Sequence, residues 1–329
     1  MPKISTKTLM MGDVSKAALA SLALLLSPAF AEDTANAVPA ASTIVEQGTE
    51  SGSADVKAPE NQAEAQASVA DEVDSNASQK LAEKRATLLR DAAIALEQSR
   101  QAVIFLADGD PEAALEALAE ATGKLEVIVA REPDLALAPV SVTASRQDLI
   151  ATVEDVKALR KTIEELVEDG KIQEARPLAE SFGSEFIITT TSIPLATYPD
   201  AIKEVAALID DGEIEAAKVA LDAALSTLVV TEQTIPIPLL RADAMLSLAE
   251  AVLAEGEDDA FEVAEQLRQN AAYEVQLAKA FGYGDKSLYR KLERDLERLE
   301  DRIEDKKDSS GLLKSLRRQV ANLMPGENS

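Results

Sequence analysis

The stretch Leu208-Ile-Asp-Asp-Gly212-Glu-Ile-Glu-Ala-Ala217 carries the signal that decides the fold class. An apolar helix end is followed by two acids, a glycine, a polar cap and a new alanine-containing helix. Glycine accepts the left-handed backbone that ends many helices, and acidic side chains are favoured where the next helix begins. The stretch therefore predicts two helices joined by a tight turn.

The same junction occurs at three other places, around Gly109, Gly170 and Gly256. Gly170, Gly212 and Gly256 are 42 and 44 residues apart, and an Ile-Pro pair follows Gly170 and Gly212 at nearly the same distance. This spacing favours a degenerate repeat of helical hairpins. The alternative is that unrelated helices are joined by ordinary Asp-Gly turns.

Three stretches between the hairpins are rich in β-branched residues and proline, at 136–142, 185–195 and 227–239. Such residues disfavour helix, so we expect crossover linkers or short paired strands. Prolines 194, 236 and 238 argue against central strands. Aromatic residues make up only 3% of the chain, which suits close-packed helices. The expected fold is all-α or mainly α: a bundle or repeat of helical hairpins with short extended, proline-containing connections.

The first 31 residues have the layout of a secretory signal peptide. Lysines 3, 7 and 16 precede an apolar run at 17–26, and Ala29-Phe30-Ala31 is a small-x-small cleavage site before Glu32. The run is short for an uncleaved membrane anchor. We therefore expect a mature chain that begins at Glu32 and is exported to the periplasm.

The remaining chain divides by composition into three parts. Residues 32–78 carry ten acids against one base and no aromatic residue, which predicts a disordered acidic tail. Residues 79–307 are expected to form the helical domain, beginning with one long helix from residue 80 to 108. Residues 308–329 form a short basic amphipathic tail, which could dock on the acidic body or touch a membrane surface; the acidic body favours docking.

Composition excludes several kinds of chemistry. The chain has no Cys and no His, so thiol nucleophiles, imidazole bases and thiolate or imidazole metal sites are impossible. Its net charge of −26 repels nucleic acid and anionic lipid. Gly282-Tyr-Gly-Asp-Lys286-Ser287 fails the spacing of a phosphate loop and is interpreted as a turn between helices. We expect no enzyme activity, no catalytic residue, no cofactor and no metal.

Weak motifs in a fixed order resemble those of the YfdX family. They are the helix-Asp-Gly-helix units, the run Ile-Pro-Leu-Ala-Thr-Tyr-Pro-Asp-Ala-Ile at 193–202, the run Ile-Pro-Ile-Pro-Leu-Leu at 235–240, and Gln-Leu-Ala-Lys-Ala-Phe-Gly-Tyr at 276–283. The likeness covers about residues 80–300. These motifs supply the candidate binding or structural surface: Tyr198, Pro199, Pro236, Pro238 and Tyr283.

The resemblance implies a helical periplasmic protein that self-associates and is linked to acid and drug stress, with chaperone-like or small-molecule-binding roles. A short heptad seam at 289–303 is also compatible with self-association, although an edge helix of the bundle explains it better. The leading hypothesis is a non-enzymatic binding protein that acts as a chaperone toward unfolded or apolar clients. The alternatives are a helical-repeat adaptor of the cell envelope and a small-molecule-binding protein, neither with stable membrane insertion.

The acidic composition suggests how such a protein could respond to a fall in pH. Without His, only carboxylates can serve as a switch, and their reference pKa values lie near 4. As the pH falls toward the sequence pI of about 4.4, charge repulsion fades. Apolar helix faces could then separate and accept unfolded chains. The alternative is that acid only precipitates an acidic protein.

Overall fold

The computed structural model describes residues 56–324. This part of the chain contains twelve helices and a three-stranded sheet, so the mainly α prediction is confirmed. In chain order the elements are α1 Gln62–Ser68, α2 Ala70–Ala86, α3 Arg90–Asp108, α4 Pro111–Arg131, β1 Leu137–Asp148, α5 Val153–Glu168, α6 Ile172–Glu180, β2 Ser184–Pro194, α7 Tyr198–Asp210, α8 Ile214–Ser226, β3 Val229–Pro236, α9 Ile237–Glu255, α10 Ala260–Phe281, α11 Lys286–Glu304 and α12 Ser310–Ala321.

The buried apolar side chains form two main cores. The first, which we call the α3–α8 core, joins α3, α4, α7 and α8 to one end of β1 and β2, and includes Leu118, Leu125, Ile193 and Tyr198. The second, the α9–α12 core, joins the last four helices to α1, α2 and one face of the sheet, and includes Ile188, Ile237, Leu292 and Leu316. Helices α2 and α3 are consecutive in the chain but pack in different cores.

The three extended stretches form an antiparallel sheet in the order β1-β2-β3. Ile188 lies opposite Ala144 on β1 and Gln233 on β3. The argument from proline was wrong for β2, which is the central strand. Pro194 is the last residue of β2, where a missing N–H interrupts little of the ladder. Pro236 ends β3 and caps α9, and Pro238 lies in the first turn of α9, so the third stretch is strand and then helix.

The hairpin turns are confirmed at the four predicted glycines. Gly109, Gly170, Gly212 and Gly256 have φ between 70° and 78° just past the ends of α3, α5, α7 and α9. At the first turn, the Asp110 carboxylate accepts a hydrogen bond from Ala113 N and so caps α4. Acid and glycine thus act at the four turns as the sequence predicts, but α6, α8 and α10 begin without a side-chain cap.

Replacing Gly212 with valine should therefore lower the melting temperature. A β-branched side chain in the left-handed region loses about 1–2 kcal/mol, equivalent to about 2–4 °C for each kcal/mol. The matched control is Gly123→Val, because Gly123 lies inside α4 with open space around its α-carbon. Thermal unfolding should separate the two variants; equal melting temperatures would contradict the role given to the turn.

The disorder predicted for residues 32–78 was wrong where the structure describes this segment. Helices α1 and α2 occupy most of residues 62–86, and the predicted boundary at residue 78 falls inside α2. The cause is a stripe of small apolar side chains, Ala65, Val69, Val73 and Ala77, that are buried, the first three of them in the α9–α12 core. Tertiary burial thus orders a segment whose average composition suggests disorder. Residues 32–55 and the signal peptide predicted at 1–31 lie outside the described residues.

The single long helix expected from residue 80 to 108 was also wrong. It is interrupted between α2 and α3, where the Thr87 hydroxyl donates to Lys84 O and Leu89 N donates to Pro139 O on β1. These bonds take the place of helical ones, because the chain here leaves one core and enters the other.

The C-terminal prediction of docking is confirmed. Leu313, Leu316 and Val320 of α12 are buried in the α9–α12 core, and Arg317 forms an ion pair with Asp243 of α9 at 3.0 Å. The heptad seam of α11 is buried in the same core, so α11 is an edge helix of the bundle within this chain. None of the helices between residues 56 and 324 is both long and apolar enough to span a membrane.

Candidate functional site

The five candidate residues lie in separate places and are mostly interior. Tyr198 and Pro199 are buried at the start of α7, with Tyr198 in the α3–α8 core. Pro236 and Pro238 are buried where β3 enters α9. Their positions indicate structural roles. Pro199 also borders a surface cleft of about 320 Å³ between α4 and α7.

Tyr283, the fifth candidate, is half-buried in the turn between α10 and α11. Its hydroxyl accepts a hydrogen bond from Ser184 N at 2.9 Å, and its carbonyl accepts one from the Tyr289 hydroxyl. Burial is the main reason that the pKa of Tyr283 is raised. Tyr283 therefore holds β2 against the helical turn. The segment predicted as a turn between helices, residues 282–287, is confirmed as one.

A different residue is the centre of the most unusual site. Glu274 lies on α10 and is completely buried, with no exposed surface. Three elements from distant parts of the chain meet around it: α1, the start of α9 and the end of β1. An acidic side chain is rarely fully buried unless it is paired, so its partners decide what it does.

Two amides from α1 bind one oxygen of this carboxyl group. Gln62 Nε2 and Gln66 Nε2 each lie 2.6 Å from Glu274 Oε1. The two glutamines are four residues apart and so project from the same face of α1. One turn earlier on α10, Asn270 Nδ2 donates to Asn61 Oδ1 at 2.8 Å. Polar contacts therefore position α1 along α10.

Two oxygens in the same contact lack a hydrogen-bond donor. Glu274 Oε2 and Gln62 Oε1 are both buried, and no donor of the protein reaches either of them. Leaving a buried polar atom unpaired costs about 1–3 kcal/mol. Both atoms belong to the two side chains that are joined by the bond from Gln62 Nε2 to Glu274 Oε1.

A partly buried ion pair lies beside the glutamate. Arg241 of α9 and Asp148 of β1 are joined at 2.8 Å between Nη2 and Oδ2, and their side chains are 14% and 15% exposed. The Ser184 hydroxyl donates to the other oxygen of Asp148 at 2.7 Å. Arg146 forms ion pairs with two aspartates: with Asp148 at 3.2 Å and with Asp74 of α2 at 3.0 Å. A polar chain thus runs from the sheet to the N-terminal helices.

The two carboxyl groups have opposite pKa shifts. Burial raises the pKa of Glu274 to about 7, although the charge of Arg241 acts in the other direction. Burial also acts to raise the pKa of Asp148, but the bond from Ser184 and the charge of Arg241 outweigh it, so that pKa is lowered. At neutral pH Asp148 is ionised, and Glu274 is poised between its two forms.

The burial of Glu274 and its raised pKa suit this carboxyl group to holding and releasing a proton. Neither Glu274 nor Asp148 lines any of five surface clefts of about 250–530 Å³. Within residues 56–324 no group of three or more acidic side chains is arranged to hold a metal ion. The site joins structural elements and borders none of those five clefts in the part of the chain described.

A weak sequence signal for Glu274 was present. On α10 it lies between Ala271 and Ala278, at helical spacings of three and four, so it is an acid on an apolar stripe. Its glutamine partners carry no comparable signal, because they lie in the segment predicted to be disordered.

The comparisons with known proteins concern the middle of the chain. Residues 95–234 match the family model of the YfdX protein. The resemblance inferred from sequence is thereby confirmed for this region, which runs from α3 into β3. Most of the α3–α8 core lies inside the YfdX region. Gln62, Arg241 and Glu274 lie outside it, and Asp148 and Ser184 lie inside.

A solved structure of YfdX from Salmonella Typhi aligns with 46% of this chain and 93% of its own, at 14% identity and a TM-score of 0.32. The comparison with curated proteins gives no match.

Proposed function

We propose that this chain is a non-enzymatic, stress-associated binding protein of the periplasm. Its action would be chaperone-like, toward unfolded or apolar protein clients or small apolar molecules, and it would associate with copies of itself. The observation that carries the proposal is the cover formed by α1 and α2 over the α9–α12 core. The layout of residues 1–31 supports export, and the YfdX match supports the link to stress.

The cover contributes small apolar side chains to the contact, and the body contributes larger ones. It buries Ala65, Val69 and Val73 in a cluster that also contains Leu239 and Leu240 of α9. Burial stabilises by about 0.8 kcal/mol per methylene, whereas ordering the backbone of each residue opposes docking by about 1–2 kcal/mol. A segment with so few buried apolar atoms is of the kind that opens locally without global unfolding.

Opening this cover would expose leucine-rich surface suited to an unfolded chain. The net charge of −26 keeps molecules apart while such surface is exposed. A carboxylate-lined catalytic pocket is the feature that would favour a hydrolase. We propose binding rather than hydrolysis because Glu274 and Asp148 join structural elements and line none of the five described clefts.

The test is to fix the cover shut. The chain has no cysteine, so Asn61→Cys with Gln266→Cys gives one defined pair; Asn61 Nδ2 and Gln266 Oε1 are 3.2 Å apart. A short bis-maleimide with a cleavable disulfide would join them. We expect the joined protein to suppress light scattering from a heat-denatured model client several-fold less than the open one. Reducing the linker should restore suppression in the same sample.

The two single-cysteine variants, treated with the same reagent, control for labelling. Equal suppression by the joined and cleaved forms would place the client surface elsewhere. No suppression by the wild-type chain under any condition would remove the chaperone-like proposal and favour the adaptor.

A further inference from the structure

The contact between Gln62 and Glu274 contains one hydrogen bond and two oxygens that no donor of the protein reaches. Gln62 Nε2 donates to Glu274 Oε1 at 2.6 Å, while the second oxygen of each side chain is buried and has no donor. A primary amide and a carboxylic acid can form a closed pair of two hydrogen bonds. The amide N–H donates to the acid carbonyl, and the acid O–H donates to the amide carbonyl.

We propose that Glu274 holds a proton in the closed protein, on Oε2 and donated to Gln62 Oε1, and that this proton latches α1 and α2 onto the body. One proton satisfies both unpaired oxygens. The amide of Gln66 then supplies the second donor to Oε1. As a property of the fold the latch is independent of client binding; as a control on client access it rests on the proposed function.

Ionisation would undo this arrangement. The carboxylate Oε2 and Gln62 Oε1 would both be acceptors with no donor between them, and a charge would be buried. Arg241 is the cation that faces this site, and it acts on Glu274 through its charge without a hydrogen bond, because its side chain donates to Asp148 instead. The second oxygen of the ionised group would therefore remain without a donor, and separation of α1 from α10 would let water supply one.

The surrounding charges define the direction of the effect. Arg241 from α9 favours ionisation of Glu274, whereas burial and the charge of Asp148 from β1 oppose it. Helix α1 contributes neutral amides to the site. The acids of α5, Glu154 and Asp155, act on Tyr273, and Glu293 of α11 bonds one turn further along α10, to Gln276 and Lys279.

The sign follows from linkage. The pKa of Glu274 is about 7 in the folded protein against 4.5 for an ordinary glutamate. Because the closed form binds the proton more tightly, closure has its full strength below about pH 4.5. That strength falls as the pH rises from there toward 7 and is lost above it. The latch is closed in acid and loosens above neutrality.

Hydrogen exchange of the full chain tests the latch without any client. Protection of the α1 and α2 amides, corrected for intrinsic rates, should fall with rising pH in the wild type, approaching tenfold per pH unit. Glu274→Gln replaces the acid with a neutral amide that can both donate to and accept from Gln62. This variant should show protection that does not change with pH. Glu262→Gln, an exposed acid on the same helix, is the matched control and should behave as wild type.

Three outcomes would overturn the latch: flat protection in the wild type, an unchanged slope in Glu274→Gln, or protection that follows the concentration of added Na⁺, K⁺, Mg²⁺ or Ca²⁺ at fixed pH. The last would replace the proton with a bound cation.

If Glu274→Gln does not fold, infrared difference spectra of the wild type still decide whether Glu274 is protonated. A protonated carboxyl band that disappears near pH 7 is expected, and its absence at pH 5.5 would refute the proposal. If the light-scattering assay with a client failed, the hydrogen-exchange and infrared results would still test the latch.

Discussion

Replacing Arg241 with methionine is expected to lower the free energy of unfolding by about 2 kcal/mol. Methionine keeps most of the side-chain volume, so the change mainly removes the charge. Asp148 would then remain in its partly buried position with Ser184 and the more exposed Arg146 as partners. Loss of a charged hydrogen-bond partner typically costs about 1–3 kcal/mol, and the larger cost of leaving a fully buried charge unpaired does not apply because Arg146 stays beside Asp148.

Chemical denaturation at pH 7 would measure this effect. The control is Lys161→Met, which removes an exposed ion pair with Glu165 whose side chains are 76% and 62% exposed. Exposed pairs contribute about 0–1 kcal/mol, so the control should change stability little. If the two variants were equally stable, the Arg241–Asp148 pair would not organise the centre of the molecule as we describe.

Gly284→Val should have the second large effect. Gly284 has φ of 68°, and a β-carbon placed on it would lie 2.9 Å from Leu323 O and 2.8 Å from Leu323 Cδ2. Backbone strain of about 1–2 kcal/mol would add to overpacking of about 1–3 kcal/mol. The turn after α10 and the end of α12 cannot both keep their positions. We therefore expect α12 to detach and the melting temperature to fall by several degrees.

Gly311→Val is the matched control, because Gly311 lies in α12 with open space where a side chain would extend. Proteolysis of the C-terminal segment would report detachment directly. A variant at position 284 that resisted proteolysis as well as the control would show that the close approach to Leu323 is not required.

The local signals in the sequence predicted the hairpins well. An acid and a glycine within a few residues mark the turns at Gly109, Gly170, Gly212 and Gly256, so distant contacts were not needed to find them. The docking of α12 was also predictable, because a basic helix with an apolar stripe complements an acidic body.

The N-terminal helices were not predictable from composition. What orders α2 is an apolar stripe of alanine and valine that becomes meaningful only beside α9, more than 150 residues away in the chain. An even greater distance in sequence separates Gln62 from Glu274. Neither glutamine could be recognised as part of a site before the fold brought α1 and α10 together.

The sequence also suggested that acid would separate apolar faces, and the site adds a contribution of opposite sign. Lower pH reduces charge repulsion over the whole surface, but protonation of Glu274 holds α1 and α2 more firmly. The net direction of client binding between about pH 4 and pH 8 therefore depends on which effect dominates. Light scattering with wild type and Glu274→Gln across this range would separate the two.

The division of α2 and α3 between different cores has a consequence for how the chain acquires its structure. Synthesis proceeds from the N-terminus, so α1 and α2 are complete long before α9–α12 exist. The α3–α8 core, in contrast, combines two locally formed hairpins, α3–α4 and α7–α8, that are separated only by residues 132–197, so a much shorter loop has to close. We expect the YfdX region to fold first and the N-terminal helices to associate last, after a loop of more than 150 residues closes. Until then their apolar stripe is unprotected, and this interval is when the nascent chain is most exposed to aggregation and to proteases.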